Sequence, residues 1–254
     1  MARPISSFFG QHAFPVILLV MSAAVPALVQ AQGAPAQEGP KNLQVLPKDW
    51  TRPQVINVMR AFTAALGVGC EHCHVENEGA PPDFASDDKP EKDMARGMMK
   101  VARDLNAALP DALGKPADEL TRIGCITCHR GVPQPKQLSE ILAKTSAEKG
   151  FPAAEQQYRD LKARYYGAQA YDFSENGLIA TAQPLVQTRT DEAIQFLRLN
   201  LQMFPQSAET YVTLAQAQVA KKDTAAAMSS LETALAIDPR NGGARRALDQ
   251  LKKQ

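Results

Sequence analysis

Cysteine occurs four times in this 254-residue chain, and all four fall in two copies of one pattern: Cys70-Glu71-His72-Cys73-His74 and Cys125-Ile126-Thr127-Cys128-His129. Two thiols separated by two residues, with an imidazole directly after the second, suit one chemistry above others. The thiols add to a porphyrin as thioethers, and the histidine supplies an axial ligand to its iron. Two covalently attached haem c groups (iron) are therefore expected, held through Cys70, Cys73, Cys125 and Cys128, with His74 and His129 as proximal iron ligands. The competing uses are a pair of disulfides or a zinc site, and neither gives a reason for a histidine after each pair.

The opposite side of each iron needs a second donor. The remaining histidines are His12, near the amino terminus, and His72, inside the first motif where its own haem is hard to reach; methionine is the natural soft ligand. Met59, fifteen residues before His74, is the distal candidate for the first haem. Met98 is the candidate for the second, with Met99, Met94, a partner's ligand or an open position as alternatives. Methionine ligation favours ferrous iron relative to bis-histidine and raises the reduction potential. No distal histidine with a catalytic arginine or acid can be read, so no catalytic residue is expected. The chain reads as an electron carrier, not an enzyme; a peroxidase-type haem enzyme with an open second haem is the alternative.

These groups must be positioned by helices. Thr51 with Gln54 forms a capping-box pattern that opens a helix, Gly67 can close it, and Val55, Met59, Phe62 and Leu66 share one face leading into Cys70. A polar loop with Pro81 and Pro82 follows, then a second helix over residues 91–109, stopped by Pro110, with Met94, Met98, Val101 and Leu105 at the same spacing. A short helical turn over residues 118–122 leads into Cys125. Lys92, Arg96, Lys100 and Arg103 form a basic stripe on the second helix, suited to haem propionates, to an acidic redox partner, or simply to a solvated face.

Upstream, Arg3, the apolar run Phe14-Pro15-Val16-Ile17-Leu18-Leu19-Val20 and the short side chains at Val29-Gln30-Ala31 read as a cleavable signal peptide over residues 1–31; an uncleaved membrane anchor is the alternative. A periplasmic location follows, where haem attachment to paired thiols takes place. Removing this leader takes away Arg3 alone among charged residues, leaving 27 basic against 27 acidic, so nucleic-acid binding is not suggested. Aromatic residues make up 6% of the chain, and alanine is abundant, which favours helices over sheet.

The expected architecture is mainly α: signal peptide 1–31, linker 32–45, a two-haem cytochrome c domain with few regular sheets over 46–138, and a helical, tetratricopeptide-like domain over 139–254. Residues 151–166 read as an amphipathic helix ending at Gly167. Tyr211, Leu214, Ala215, Ala227, Leu231, Ala234 and Pro239 fit the spacing of one repeat of about thirty-four residues. One repeat earlier, Ala193, Leu197 and Pro205 fit, Asn200 does not, and Pro184 interrupts. A final helix is expected over 243–253. Such helical pairs stack to bury their faces and can present a groove to a partner peptide or protein, or act as a passive spacer.

The connecting segments carry a resemblance. Leu46-Pro47-Lys48-Asp49 before the first helix, Asp83-Phe84-Ala85-Ser86-Asp87 with Lys89-Pro90, Ala95-Arg96-Gly97-Met98-Met99, Arg103-Asp104-Leu105-Asn106, and His129-Arg130-Gly131, set around the two haem motifs, are similar to the multihaem cytochrome c subunit of photosynthetic reaction centres. The likeness covers residues 46–135. It implies single-electron transfer between redox partner proteins, including a membrane-bound electron-transfer complex, with each haem against a helix that usually donates methionine. That family carries four haems in two pairs and re-reduces a photo-oxidised pigment pair, whereas this chain has motifs for one pair. Similar cytochromes also occur in organisms that do not photosynthesise, so the resemblance implies electron transfer more than photosynthesis. In the family one haem of the corresponding pair takes a distal histidine from elsewhere in the subunit, which this chain lacks.

Overall fold

The computed structural model describes residues 39–253; the leader and its signal-peptide reading lie outside them. Residues 39–253 are mainly helical, as expected. Helix α1 runs Arg52–Leu66, started by Thr51, whose backbone N–H and hydroxyl both donate to Gln54 Oε1 at 2.8 Å. It is ended by Gly67 in the left-handed region (φ 67°), whose N–H bonds Thr63 O. A 3-10 turn over Cys70–His72 follows directly.

The expected polar loop is a short hairpin, β1 Val75–Asn77 and β2 Ala80–Asp83, paired antiparallel with Val75 opposite Asp83 and Asn77 opposite Ala80. Pro81 and Pro82 are tolerated because both strands of a two-stranded sheet are edges, where missing N–H groups leave no partner unpaired.

Helix α2 is longer than expected, Pro90–Leu113, and passes through Pro110. One proline deletes one N–H near the last turn, and Gly114, left-handed at φ 62°, closes the helix by bonding Pro110 O. A 3-10 turn over Ala117–Glu119 precedes helix α3, Cys125–His129, which is the second motif itself.

Seven helices complete the described chain: α4 Leu138–Lys149, α5 Phe151–Tyr165, α6 Glu175–Ala182, α7 Thr190–Met203, α8 Ala208–Ala220, α9 Thr224–Ile237 and α10 Gly242–Leu251. Helix α4 was not anticipated from sequence; Leu138 and Leu142 bury it against α5 and α6. Consecutive helices then pack pairwise. Pro184 falls in a 3-10 turn, Gln183–Leu185, which ends α6 early. Asn200, the residue that fails the repeat spacing, is fully buried and donates to Glu175 O (2.9 Å) and Thr210 Oγ1 (2.8 Å), pinning α7 to the starts of α6 and α8.

The core lies almost wholly in this helical half. Tyr158, Phe173, Leu178, Phe196, Leu197 and Leu199 form its larger cluster; Ala227, Leu231, Ala234, Ala244 and Leu248 carry a smaller one. Before Leu138, the only buried apolar side chains among the described residues are Ala65 and Val132.

Candidate haem-binding sites

The first motif is a single tight turn in which the N–H of Cys73 bonds Cys70 O at 3.2 Å and that of His74 bonds the same carbonyl at 3.0 Å. The ammonium of Lys89, the residue that caps α2, donates to Glu71 O and ties that turn to α2. The His74 ring meets Phe84 edge-on, centroids 5.1 Å apart at 70°. Its Nδ1 is buried with no hydrogen-bond partner. Burial pushes the His74 imidazole below its ordinary pKa, Lys92 and Lys89 push the same way, and the backbone of Phe84 opposes them. A neutral imidazole is the form that can ligate a metal.

The second motif is held from two directions. Asn106 of α2 brackets Ile123, two residues before the motif: Nδ2 donates to Ile123 O and Ile123 N–H donates to Oδ1, both at 2.8 Å. On the far side, Gly131 N–H donates to Ala65 O at 2.8 Å, so the end of α1 packs on the chain leaving α3. His129 Nδ1 lies 2.9 Å from Val132 O. A proton on Nδ1 shared with that carbonyl leaves Nε2 with its lone pair free for iron.

The four thiols are free, Cys70 and Cys128 exposed and Cys73 and Cys125 half-buried. Burial pushes the Cys73 and Cys125 thiols up, opposite to the depressed pKa of a thiol-disulfide redox pair. Among the described residues no three His, Cys, Asp or Glu side chains converge on one point.

The methionines divide between faces. Met59 is half-buried on α1 with Val55, Phe62 and Leu66. Met94, Met98, Val101 and Leu105 form an open stripe on α2, Met98 at 46% exposure, while Met99 is half-buried on the side that carries buried Arg96. Of the ten exposed large apolar side chains among the described residues, eight precede Leu138, so the helical half covers its own apolar surface and the motif-bearing half does not. Free thiols, an orphaned buried imidazole nitrogen and an open apolar stripe fit a pair of large flat apolar cofactors with an iron at each centre.

The basic stripe is only partly what its spacing suggested. Lys92 and Arg96 turn inward: Lys92 Nζ and Arg96 Nη2 reach Asp87 Oδ1 at 3.0 and 2.8 Å, with side chains 12% and 10% exposed. The Asp87 carboxylate they share lies on the β2–α2 connection, while Asp93 of α2 takes the other side of Arg96, so helical periodicity alone could not separate them from Lys100 and Arg103, which do stay exposed.

The family described as photosynthetic reaction centre cytochrome C subunit matches residues 17–224. Cytochrome c-554 of Chloroflexus aurantiacus is 37% identical over 108 residues, covering 41% of this chain and 24% of that protein. The photosynthetic reaction center cytochrome c subunits of Rubrivivax gelatinosus and Thermochromatium tepidum are 31% identical over 105 residues and 36% over 115, covering 38% and 44% of this chain. The chain spans about a quarter of the length of each of these relatives. It belongs to the reaction-centre cytochrome c subunit family.

Proposed function

We propose that this chain is an exported c-type cytochrome that carries two covalent haems and passes single electrons between redox partner proteins, a membrane-bound complex among them. The observation that carries this reading is the contrast between the halves: the motif-bearing half has only Ala65 and Val132 as buried apolar residues and leaves eight large apolar side chains open. A folded stretch of this length needs a core, and two porphyrins would supply one.

In this reading Cys70, Cys73, Cys125 and Cys128 hold the cofactors, His74 and His129 supply the proximal nitrogens, and Met59 and Met98 the distal sulfurs. A haem held in this way supplies a one-electron ferric/ferrous couple. The protein's own part is to fix each imidazole, exclude water with the apolar faces of α1 and α2, and keep both motifs on one scaffold through Asn106 and Ala65.

Residues 139–254 are read as a tetratricopeptide-like repeat region that presents a partner-binding surface. Its support is the pairing of α8 with α9 and the burial of Ala227, Leu231 and Ala234 at repeat positions. Among the described residues no helix is long and apolar enough to cross a membrane; export rests on the leader sequence.

The experiment is the mass and redox titration of the mature protein from a host that matures c-type cytochromes. Expected are a polypeptide beginning after Ala31, a mass increment of two haems and two one-electron transitions. A mature protein without covalent haem would sink the proposal.

A further inference from the structure

The β2–α2 connection is gripped along its length from Asp83 to Asp87, and the grip includes the backbone of Phe84. Asp83 Oδ1 accepts from the N–H groups of Ala85 (2.8 Å) and Ser86 (3.0 Å). Asp87 receives four donors: Asn42 Nδ2 (2.9 Å), Gln44 Nε2 (3.1 Å), Lys92 Nζ (3.0 Å) and Arg96 Nη2 (2.8 Å). Lys92 Nζ, paired with Asp87 by charge, also reaches the carbonyls of Phe84 (3.1 Å), Ala85 (3.0 Å) and Ser86 (2.5 Å), and those three carbonyls match the three N–H groups of an ammonium. Cations this far out of water persist only when paired and hydrogen-bonded, and these are.

Phe84 sits at the end of this web. The residue is 51% exposed, so burial alone does little to keep its ring in place, yet the ring stands edge-on to His74. The held backbone is what keeps it there. His129 is oriented differently, by the carbonyl of Val132 three residues on.

We propose that the Asp87–Lys92–Arg96 latch is a positioning device for the first axial ligand: it fixes the backbone at Phe84, and the Phe84 ring sets the plane of the His74 imidazole. This rests on the reading of His74 as a proximal iron ligand. Disturbing the latch then acts on one of the two sites and spares the other.

The test uses the mature two-haem protein and the variants Phe84→Leu, Asp87→Asn, Lys92→Met and Lys92→Arg. Haem-methyl proton shifts of the ferric state report the plane of the axial imidazole at each haem, and a redox titration is run beside them. Expected is a changed methyl pattern at the first haem in Phe84→Leu, Asp87→Asn and Lys92→Met, an unchanged pattern at the second, and recovery in Lys92→Arg. A role through charge alone predicts otherwise: Asp87→Asn and Lys92→Met move the first potential in opposite directions, Phe84→Leu does nothing, and the methyl pattern stays fixed. That result would overturn the proposal while leaving the two-haem reading intact. Wild-type protein without haem on Cys70 and Cys73 would overturn both. Phe84→Leu leaves every latch contact in place and tests the ring alone, and Asp87→Asn tests the latch even if Lys92→Met fails to mature.

Discussion

His129 and Val132 close a turn on each other: Val132 N–H donates to His129 O at 3.0 Å, and His129 Nδ1 faces Val132 O at 2.9 Å. Val132 is 2% exposed, so its side chain anchors the carbonyl that orients the imidazole. Truncation by Val132→Ala removes buried carbon worth about 1–2 kcal/mol and loosens that anchor. With His129 as the proposed proximal ligand, a weaker hydrogen bond to Nδ1 would make the imidazole less electron-rich and favour ferrous iron. The second haem is expected to titrate at higher potential in this variant with the first unmoved, as read by a haem-resolved redox titration.

Gly67 is required twice over. Its φ of 67° lies in the left-handed region, and a Cβ there would stand 2.2 Å from Gly131 O. Gly67→Ala costs about 1–2 kcal/mol in backbone strain before the collision is relieved, and relief means parting α1 from the chain after the second motif. Calorimetry of the mature protein should show Tm lowered by several degrees, with loss of the Ala65–Gly131 hydrogen bond seen as faster exchange of the Gly131 amide.

Asn106 spends one side chain on both backbone groups of Ile123. Asn106→Ala strands that N–H and carbonyl, at a cost of about 1–3 kcal/mol for each that stays buried. The consequence is local to the chain leading into Cys125. Mass spectrometry of peptides should show less haem on Cys125 and Cys128, with attachment at Cys70 and Cys73 unchanged.

Where a signal is local, the sequence shows it. Thr51, Gln54 and Gly67 delimit α1 within one residue, and the burial of Ala227, Leu231 and Ala234 follows their spacing. What the sequence does not show depends on partners distant in the chain. Lys92 and Arg96 look like their exposed neighbours Lys100 and Arg103 until Asp87 is brought beside them. Pro110 reads as a stop because its cost is local, whereas the continuation of α2 is secured at Gly114. Helix α4 has a weakly amphipathic sequence and owes its place to burial of Leu138 and Leu142 against α5 and α6. At the motifs themselves spacing singles out the four thiols and the two following histidines as candidates, whereas the Phe84–His74 and His129–Val132 contacts depend on the fold.

Glu192 of α7 links two helices through Ser146 of α4 and pairs with Arg189, whose Nε donates to it at 2.7 Å. Arg189 holds the Glu192 carboxyl below the usual value of 4.5; partial burial pushes the other way and the Ser146 hydroxyl assists Arg189. A carboxylate depressed on folding stabilises fully above its unfolded pKa, and that contribution is lost as pH falls through the folded value. Both side chains are partly exposed, so the contribution is below about 1 kcal/mol. Urea unfolding of the helical region should show wild type ahead of Glu192→Gln at neutral pH, with the gap closing below pH 4.5.

The distal ligands separate by replacement with leucine, which nearly conserves volume. Met59 lies half-buried on the α1 face that runs into Cys70, and Met98 lies on the open stripe of α2, while Met99 is half-buried on the side of Arg96. A thioether that ligates iron leaves a sulfur-to-iron charge-transfer band in the ferric spectrum, and its removal lowers the potential of that haem. Met59→Leu should erase the band and lower the potential at the first haem, and Met98→Leu should do so at the second. Met99→Leu should leave both spectra as they are. If Met98→Leu is silent and Met99→Leu is not, the second ligand comes from the packed face of α2; the apolar stripe then lies against the porphyrin edge without supplying its sulfur.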